Sequence, residues 1–285
     1  MTVQATNSVG IVGSGIMAAG IAEVAARAGL HAVLRARSQD SLDAALKQIT
    51  SGLNRQVDKG KLEASERDRT LANITTTTDL AGLADCDIVI ESVVEDLGTK
   101  QELFRQLDAI VKPTAILATN TSTLSVVDMA KVTSRPDQVC GIHFFNPAAV
   151  LPLVEIVRPL TASDDTIKRA ASFVSAIGKE GVHVLDRAGF IVNALLFPYL
   201  NNAIRMLEAG TASMEDIDTA MKGGCNFPMG PFALLDLVGL DTSLSILETL
   251  HASFADDNFA PRPMLRDLVT QGRLGRKTKA GFYVY

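Results

Sequence analysis

A chain of 285 residues that is 47% hydrophobic and 21% charged holds enough apolar material for one large domain or two ordinary ones. Its formal net charge of -5, with no basic block to reverse it, argues against a nucleic-acid partner. The three cysteines (Cys86, Cys140, Cys225) are odd in number, far apart and without CxxC spacing, which excludes a disulfide framework or zinc site and suits a reducing cytoplasm.

At the start, Met1–Ser8 is polar, without the charged region and apolar core of a secretory signal. Val9-Gly10-Ile11-Val12 reads as a short apolar strand entering the turn Gly13-Ser14-Gly15-Ile16-Met17-Ala18. A helix is expected over Ile21–Ala28 and a second strand over Ala32–Leu34. Gly13, Gly15 and Ala18 fit the G-x-G-x-x-G/A dinucleotide fingerprint in its proper strand–turn–helix context. Gly13 permits the tight turn, Gly15 lets the backbone close on a pyrophosphate, and Ala18 lets the helix pack on its strand. Ile16 and Met17 then stand where free N–H groups and the helix dipole favour an anion.

Past the second strand, about 20 residues beyond the glycines, an NAD site normally offers an acid to the adenosine ribose. This chain reads Arg35-Ala36-Arg37-Ser38, with Ala36 in that place. Without the acid a 2′-phosphate meets no repulsion, Arg35 or Arg37 can grip it with a charge-assisted fork, and Ser38 can add a hydroxyl. NADP(H) is therefore expected in preference to NAD(H), with Asp40 as an alternative source of the acid. Ser41–Lys61 has helical spacing (Leu42, Leu46, Ile49, Leu53, Val57), and a charged second helix runs to Asn73, forming a hairpin inserted in the βαβ series.

Strands are expected at Ile74–Thr77, Ile88–Ile90 and Ala115–Ala118, with a helix over Gly98–Ile110. Glu95 and Lys100 follow a strand's carboxyl end, the ligand side of such sheets. Thr119-Asn120-Thr121-Ser122-Thr123 is a polar cluster too dense for an ordinary turn, although Ser122 or Thr123 could cap the next helix. Val139–Phe145 and Leu153–Val157 are apolar strands that carry His143 and Glu155, separated by a segment with Asn146, Pro147 and Pro152. His and Glu in so apolar a setting satisfy each other or serve a ligand. His183, within Val182–Leu185, has no acid nearby in sequence and reads as structural. From Asp186–Ala188 the character changes to helices: Gly189–Gly210, Ser213–Lys222, Pro231–Phe254 and Met264–Gln271. No run approaches the ~20 apolar residues needed to span a bilayer, and no His/Cys/Asp cluster has metal-ligand spacing.

Taken together, the chain resembles the short-chain L-3-hydroxyacyl-CoA dehydrogenase family, in particular its bacterial 3-hydroxybutyryl-CoA branch. The resemblance covers nearly the whole chain. It rests on Gly13–Met17, Val94-Glu95-Asp96-Leu97, Ala118–Ser122, His143-Phe144-Phe145-Asn146-Pro147, Gly189-Phe190-Ile191-Val192-Asn193, Pro228-Met229-Gly230-Pro231 and Gly275-Arg276-Lys277-Thr278. It implies a doubly wound, Rossmann-type NAD(P) domain (1–186) with a helical hairpin insertion, an all-α substrate and dimerisation domain (187–285), and an active site in the cleft between them. By position, His143 resembles the family's catalytic base, Glu155 its orienting carboxylate, and Ser122 and Asn193 the pair that positions substrate. Glu95, Lys100, Asn120, Asn146 and Lys277 correspond to cofactor contacts. Lys59 falls near a CoA contact, but Gly52 replaces a hydroxyl expected earlier in that helix, and Ala36 replaces the acid that marks NAD.

The implied reaction interconverts a 3-hydroxyacyl thioester and its 3-oxo form. His143 moves the hydroxyl proton and Glu155 steadies the imidazolium. Three rival readings fit parts of the same pattern. The same acyl group could ride on acyl carrier protein in a biosynthetic pathway, which Gly52 and the arginines favour. A 2-hydroxyacid or 3-hydroxyisobutyrate type shares the architecture and resembles this chain at Gly189–Asn193, but is expected to use a Lys in that helix. Here the turn holds Asn193, and His143 and Glu155 supply a base. A non-catalytic cofactor-binding module is the third. A cytoplasmic homodimer, with no membrane or nucleic-acid partner, is expected.

Overall fold

Short apolar runs separated by amphipathic helices have one economical solution, a mainly parallel sheet covered on both faces. The computed structural model describes residues 6–285, so most of the polar Met1–Ser8 stretch lies outside the described residues. The chain divides after Asp186 into two compact units.

The first unit runs β1 (Ser8–Val12), α1 (Ile16–Arg27), β2 (His31–Arg35), α2 (Gln39–Asp58), α3 (Ala64–Ala72), β3 (Ile74–Thr77), β4 (Ile88–Glu91), α4 (Leu97–Ile110), β5 (Ile116–Thr119), α5 (Val126–Ala130), β6 (Val139–Phe144), β7 (Leu153–Arg158), α6 (Asp164–Ala176) and β8 (Glu180–Leu185). Among the described residues these strands form one sheet, ordered β3-β2-β1-β4-β5-β6-β7-β8. From β3 to β6 every pair is parallel. The switch between β1 and β4 is where such sheets open a crevice at the strands' carboxyl ends. β7 pairs antiparallel with β6, and β8 runs parallel to β7. The residues linking β6 to β7 are too few for a crossover helix, so the second strand must return alongside the first.

Small residues let α1 lie close to the sheet: Ala18, Ala19 and Ala22, together with the larger Ile21, are fully buried in the core with Val9, Ile11 and Ile90. α1 begins at Ile16, earlier than the apolar periodicity indicates, because Gly15 serves as its N-cap directly after the turn. α2 begins at Gln39 under the Ser38 cap, whose hydroxyl accepts from the Ser41 amide. The α2–α3 hairpin is held to α1 by Arg27, whose Nε lies 3.0 Å from Glu66 Oε1.

The second unit is helical: α7 (Val192–Glu208), α8 (Met214–Cys225), α9 (Pro231–Val238), α10 (Leu240–Phe254) and α11 (Pro263–Thr270). Its own core gathers Phe197, Leu200, Ile204, Phe232, Leu247 and Leu250. Two boundaries differ from the sequence expectation. α7 starts at Val192 because Gly189 and Phe190 take positive φ (73° and 50°), and the expected helix 231–254 breaks in two at Gly239, φ 103°. Asp236, buried, accepts from the amides of Phe282 and Tyr283, each at 2.8 Å, and so fastens the aromatic C-terminal end to α9. No helix among the described residues is long and apolar enough to cross a membrane.

Candidate active site

The antiparallel turn-back from β6 to β7 makes His143 and Glu155 direct cross-strand neighbours. Residues opposed in this way hold their side chains within reach of each other. His143 Nδ1 lies 2.7 Å from Glu155 Oε2, and His143 Nε2 lies 3.1 Å from Ser122 Oγ. Glu155 is fully buried and His143 is 4% exposed. A buried carboxylate on Nδ1 suits the tautomer that carries its proton there, with Nε2 turned toward Ser122. Phe145 packs its ring 4.6 Å from the imidazole centroid, limiting the ring's freedom.

Ser122 is set by a second polar group. The Glu95 carboxylate accepts from the Thr121 hydroxyl and from the Ser122 amide at 2.9 Å, so the 119–123 cluster wraps around an acid rather than capping α5. The α5 cap comes from Ser125 and from Asp186, which accepts from the Val126 and Val127 amides. Burial pushes the Asp186 carboxyl up despite those two bonds. Lys100, 1% exposed, bridges Glu91 at 2.7 Å and Glu95 at 3.2 Å. Burial opposes the Glu95 charge, but Lys100, the Thr121 hydroxyl and the Ser122 amide outweigh it and hold the carboxyl below the usual range. Glu91 also accepts from the Thr119 hydroxyl and the Val93 amide. Asn120 ties neighbouring strand ends together: its amide donates to Ser92 Oγ at 3.3 Å and its oxygen accepts from the Phe144 amide at 2.8 Å.

The glycine turn lies at the same carboxyl edge of the sheet. Gly13 has φ 139°, and a Cβ there would stand 2.3 Å from the Ser92 carbonyl oxygen, so no other residue fits. At Gly15 a Cβ would meet nothing within 4 Å, and Ile16 beside it is 61% exposed. An open approach to the first turn of a helix with no side-chain cap suits a pyrophosphate, so the residues present fit a dinucleotide. At the end of β2, Ala36 is buried, Arg37 is exposed and Arg35 is half-buried. Arg35 Nε is buried without a hydrogen-bond partner among the described residues. Burial, then repulsion from Arg37, push the Arg35 guanidinium's pKa down, with Asp79 opposing. The Ser38 hydroxyl is engaged as the α2 cap, and Asp40 lies in that helix's first turn.

The other expected site residues belong to both units. Asn146 is exposed just past β6. Lys59 is the exposed C-cap of α2 and lines a cavity of about 490 Å³ between α1, α2 and the 147–150 segment. In the second unit, Asn193 is buried in the first turn of α7, and Lys277 Nζ is paired with both Asp241 oxygens at 2.6 Å. Sequence reasoning gave no role to Glu91, Thr121 or Glu23. The signal was present in each case: an acid closing an apolar strand, a hydroxyl inside a polar cluster, and an acid within the apolar run 21–26.

The family description "3-hydroxyacyl-CoA dehydrogenase, NAD binding domain" matches residues 8–187, and "3-hydroxyacyl-CoA dehydrogenase, C-terminal domain" matches 189–285. A Mycobacterium tuberculosis protein named 3-hydroxybutyryl-CoA dehydrogenase is 46% identical over 99% of each chain. The human mitochondrial hydroxyacyl-coenzyme A dehydrogenase is 44% identical over 96% of this chain and 90% of its own. The crystal structure of (S)-3-hydroxybutyryl-CoA dehydrogenase PaaH1 from Ralstonia eutropha superposes with a TM-score of 0.95 at 41% identity, over 99% of both chains.

Proposed function

The chain belongs to the 3-hydroxyacyl-CoA dehydrogenase family, and from that premise we propose that it interconverts an L-3-hydroxyacyl-CoA, such as 3-hydroxybutyryl-CoA, and its 3-oxo form with NADP(H). The observation that carries this proposal is the Ser122–His143–Glu155 chain of hydrogen bonds at the carboxyl edge of the sheet. When bound, the nicotinamide supplies or accepts the hydride. Gly13, Gly15, Ile16 and Met17 hold its pyrophosphate, with Glu95, Lys100, Asn120, Asn146 and Lys277 assigned to the rest of the cofactor by the family resemblance. Lys100 acts there through Glu95, since its ammonium is buried between two carboxylates.

In the oxidative direction His143 Nε2 takes the C3 hydroxyl proton, and in reduction it returns one. Glu155 holds the ring in the tautomer that assigns this exchange to Nε2 and stabilises the imidazolium formed. Ser122 and Asn193 give the reacting oxygen neutral hydrogen bonds that fix its position. The unpartnered Arg35 Nε and the missing acid at Ala36 support a 2′-phosphate, with Arg37 as second cation and the Ser38 region as its edge. Lys59 and the basic rim of the 490 Å³ cavity support the phosphates of CoA. Three free thiols suit a cytoplasmic site. Exposed Leu195, Met206 and Leu237 on the second unit support a homodimer, checked by sedimentation, where a monomer at micromolar concentration overturns it.

The deciding assay follows nicotinamide absorbance with acetoacetyl-CoA and with the same acyl group on carrier protein, each with NADPH and NADH. Turnover of the CoA thioester with NADPH ahead in kcat/KM is expected. Arg35→Ala should then lower kcat/KM for NADPH by about 10-fold or more, the worth of a charge-assisted bond, and leave NADH nearly unchanged. A clear NADH preference in the wild type removes the NADP assignment, and faster turnover on carrier protein replaces CoA as the carrier.

A further inference from the structure

Glu23 stands in the middle of α1, IMAAGIAEVAAR, as the sole acid of a helix that apart from it and Arg27 is apolar and small-residued. It is 7% exposed and lines the same cavity as Lys59. Its Oε1 is buried with no hydrogen-bond partner among the described residues. An ionised oxygen left in that state is expensive, so a donor from outside the chain is called for. The cavity lining is mixed in chemistry. Ala19, Ala148 and the 71%-exposed Val150 are apolar, while Arg55, Lys59 and Lys61 supply positive charge. That combination fits a long arm that is mostly apolar, carries N–H donors midway and ends in phosphate.

We propose that Glu23 accepts an amide N–H of the pantetheine arm and is thereby a specificity residue for the thioester carrier. This rests on the thioester assignment above, and pantetheine is the chemistry common to coenzyme A and acyl carrier protein. Four groups bear on the carboxyl: Arg27 on its own helix, Gln56 and Arg55 from α2, and Lys179 ahead of β8. Arg27 is also engaged with Glu66, and Lys179 Nζ with the Leu151 carbonyl at 2.7 Å. Burial pushes the Glu23 carboxyl up against the combined pull of those four. Accepting an N–H favours the ionised form, so affinity for the arm is full above that raised pKa and falls as the pH drops through it.

The test measures KM and kcat for acetoacetyl-pantetheine and acetoacetyl-CoA, in the reductive direction between about pH 5 and 8, for the wild type, Glu23→Gln and Lys59→Ala. At pH 8, Glu23→Gln should raise KM for both substrates by a similar factor of about 3- to 10-fold, the gap between a charge-assisted and a neutral hydrogen bond, with kcat little changed. At the acid end the two proteins should converge. Lys59→Ala should raise KM for the CoA thioester alone. The wild-type rise in pantetheine KM toward acid is read without any variant, so poor folding of Glu23→Gln leaves the proposal testable. An unchanged or lowered pantetheine KM in Glu23→Gln, an effect confined to the CoA thioester, or a ratio that does not vary with pH overturns the role of Glu23. A wild type that turns over neither substrate fails the thioester assignment itself and this role with it.

Discussion

At the scale of single residues, the proposed chemistry depends on one imidazole held between an acid and a hydroxyl. His143→Gln keeps the volume but not the exchangeable proton, so kcat should fall by about 10²- to 10⁴-fold while nucleotide binding, followed by NADPH fluorescence, is nearly retained. Glu155→Gln should lower kcat as well, because an amide on Nδ1 no longer selects the productive tautomer or stabilises the imidazolium. The pH–rate profile should shift with it. Wild-type-like turnover of His143→Gln, or an unshifted profile in Glu155→Gln, counts against the pair. The residue types and their apolar setting were legible in the sequence. Their 2.7 Å approach was not, since it depends on β7 returning antiparallel to β6.

At the scale of elements, the buried ion pair between α4 and β4 organises the loop that carries Ser122. Lys100 and Glu91 are 1% and 0% exposed, so neither charge is relieved by water. Removing one partner of such a pair costs about 3–5 kcal/mol, because the other stays buried and unpaired. Lys100→Met should therefore lower the melting temperature markedly, and Lys100→Met combined with Glu91→Gln should recover part of the loss; calorimetry on both variants checks this. Glu95 has its pKa depressed on folding, so its stabilising contribution is present above the ordinary carboxylate range and fades as the pH falls through the depressed value. Periodicity marks Lys100 as the start of a helix and says nothing of the two acids it meets, which come from separate positions along the chain.

At the scale of the whole molecule, each unit carries its own core, and the glycine turn belongs to the first. A ligand that binds the folded form alone at about 100 times its Kd adds about 2.7 kcal/mol, which for a unit of this size corresponds to a rise of roughly 5–10 °C in Tm. NADPH is expected to raise the Tm of the first unit by that order, and by more than NADH at equal concentration. Equal shifts, or a larger one with NADH, contradict a 2′-phosphate site at Arg35.

The sequence by itself determined the fold class, because strand-sized apolar runs, the glycine turn and the later helical periodicity are local patterns whose physics needs no partner. It also determined the family, through short motifs in which residue type and spacing survive without coordinates. The tertiary structure decided the rest. It set the start of α1 at Ile16 rather than Ile21, and that Gly239 divides one expected helix into two. It also decided that the polar cluster around Ser122 encloses Glu95, and that Glu23 faces a cavity with one oxygen unanswered. Those outcomes depend on contacts between residues distant in sequence and on what burial does to a charge, and neither quantity is written in any local stretch of the chain.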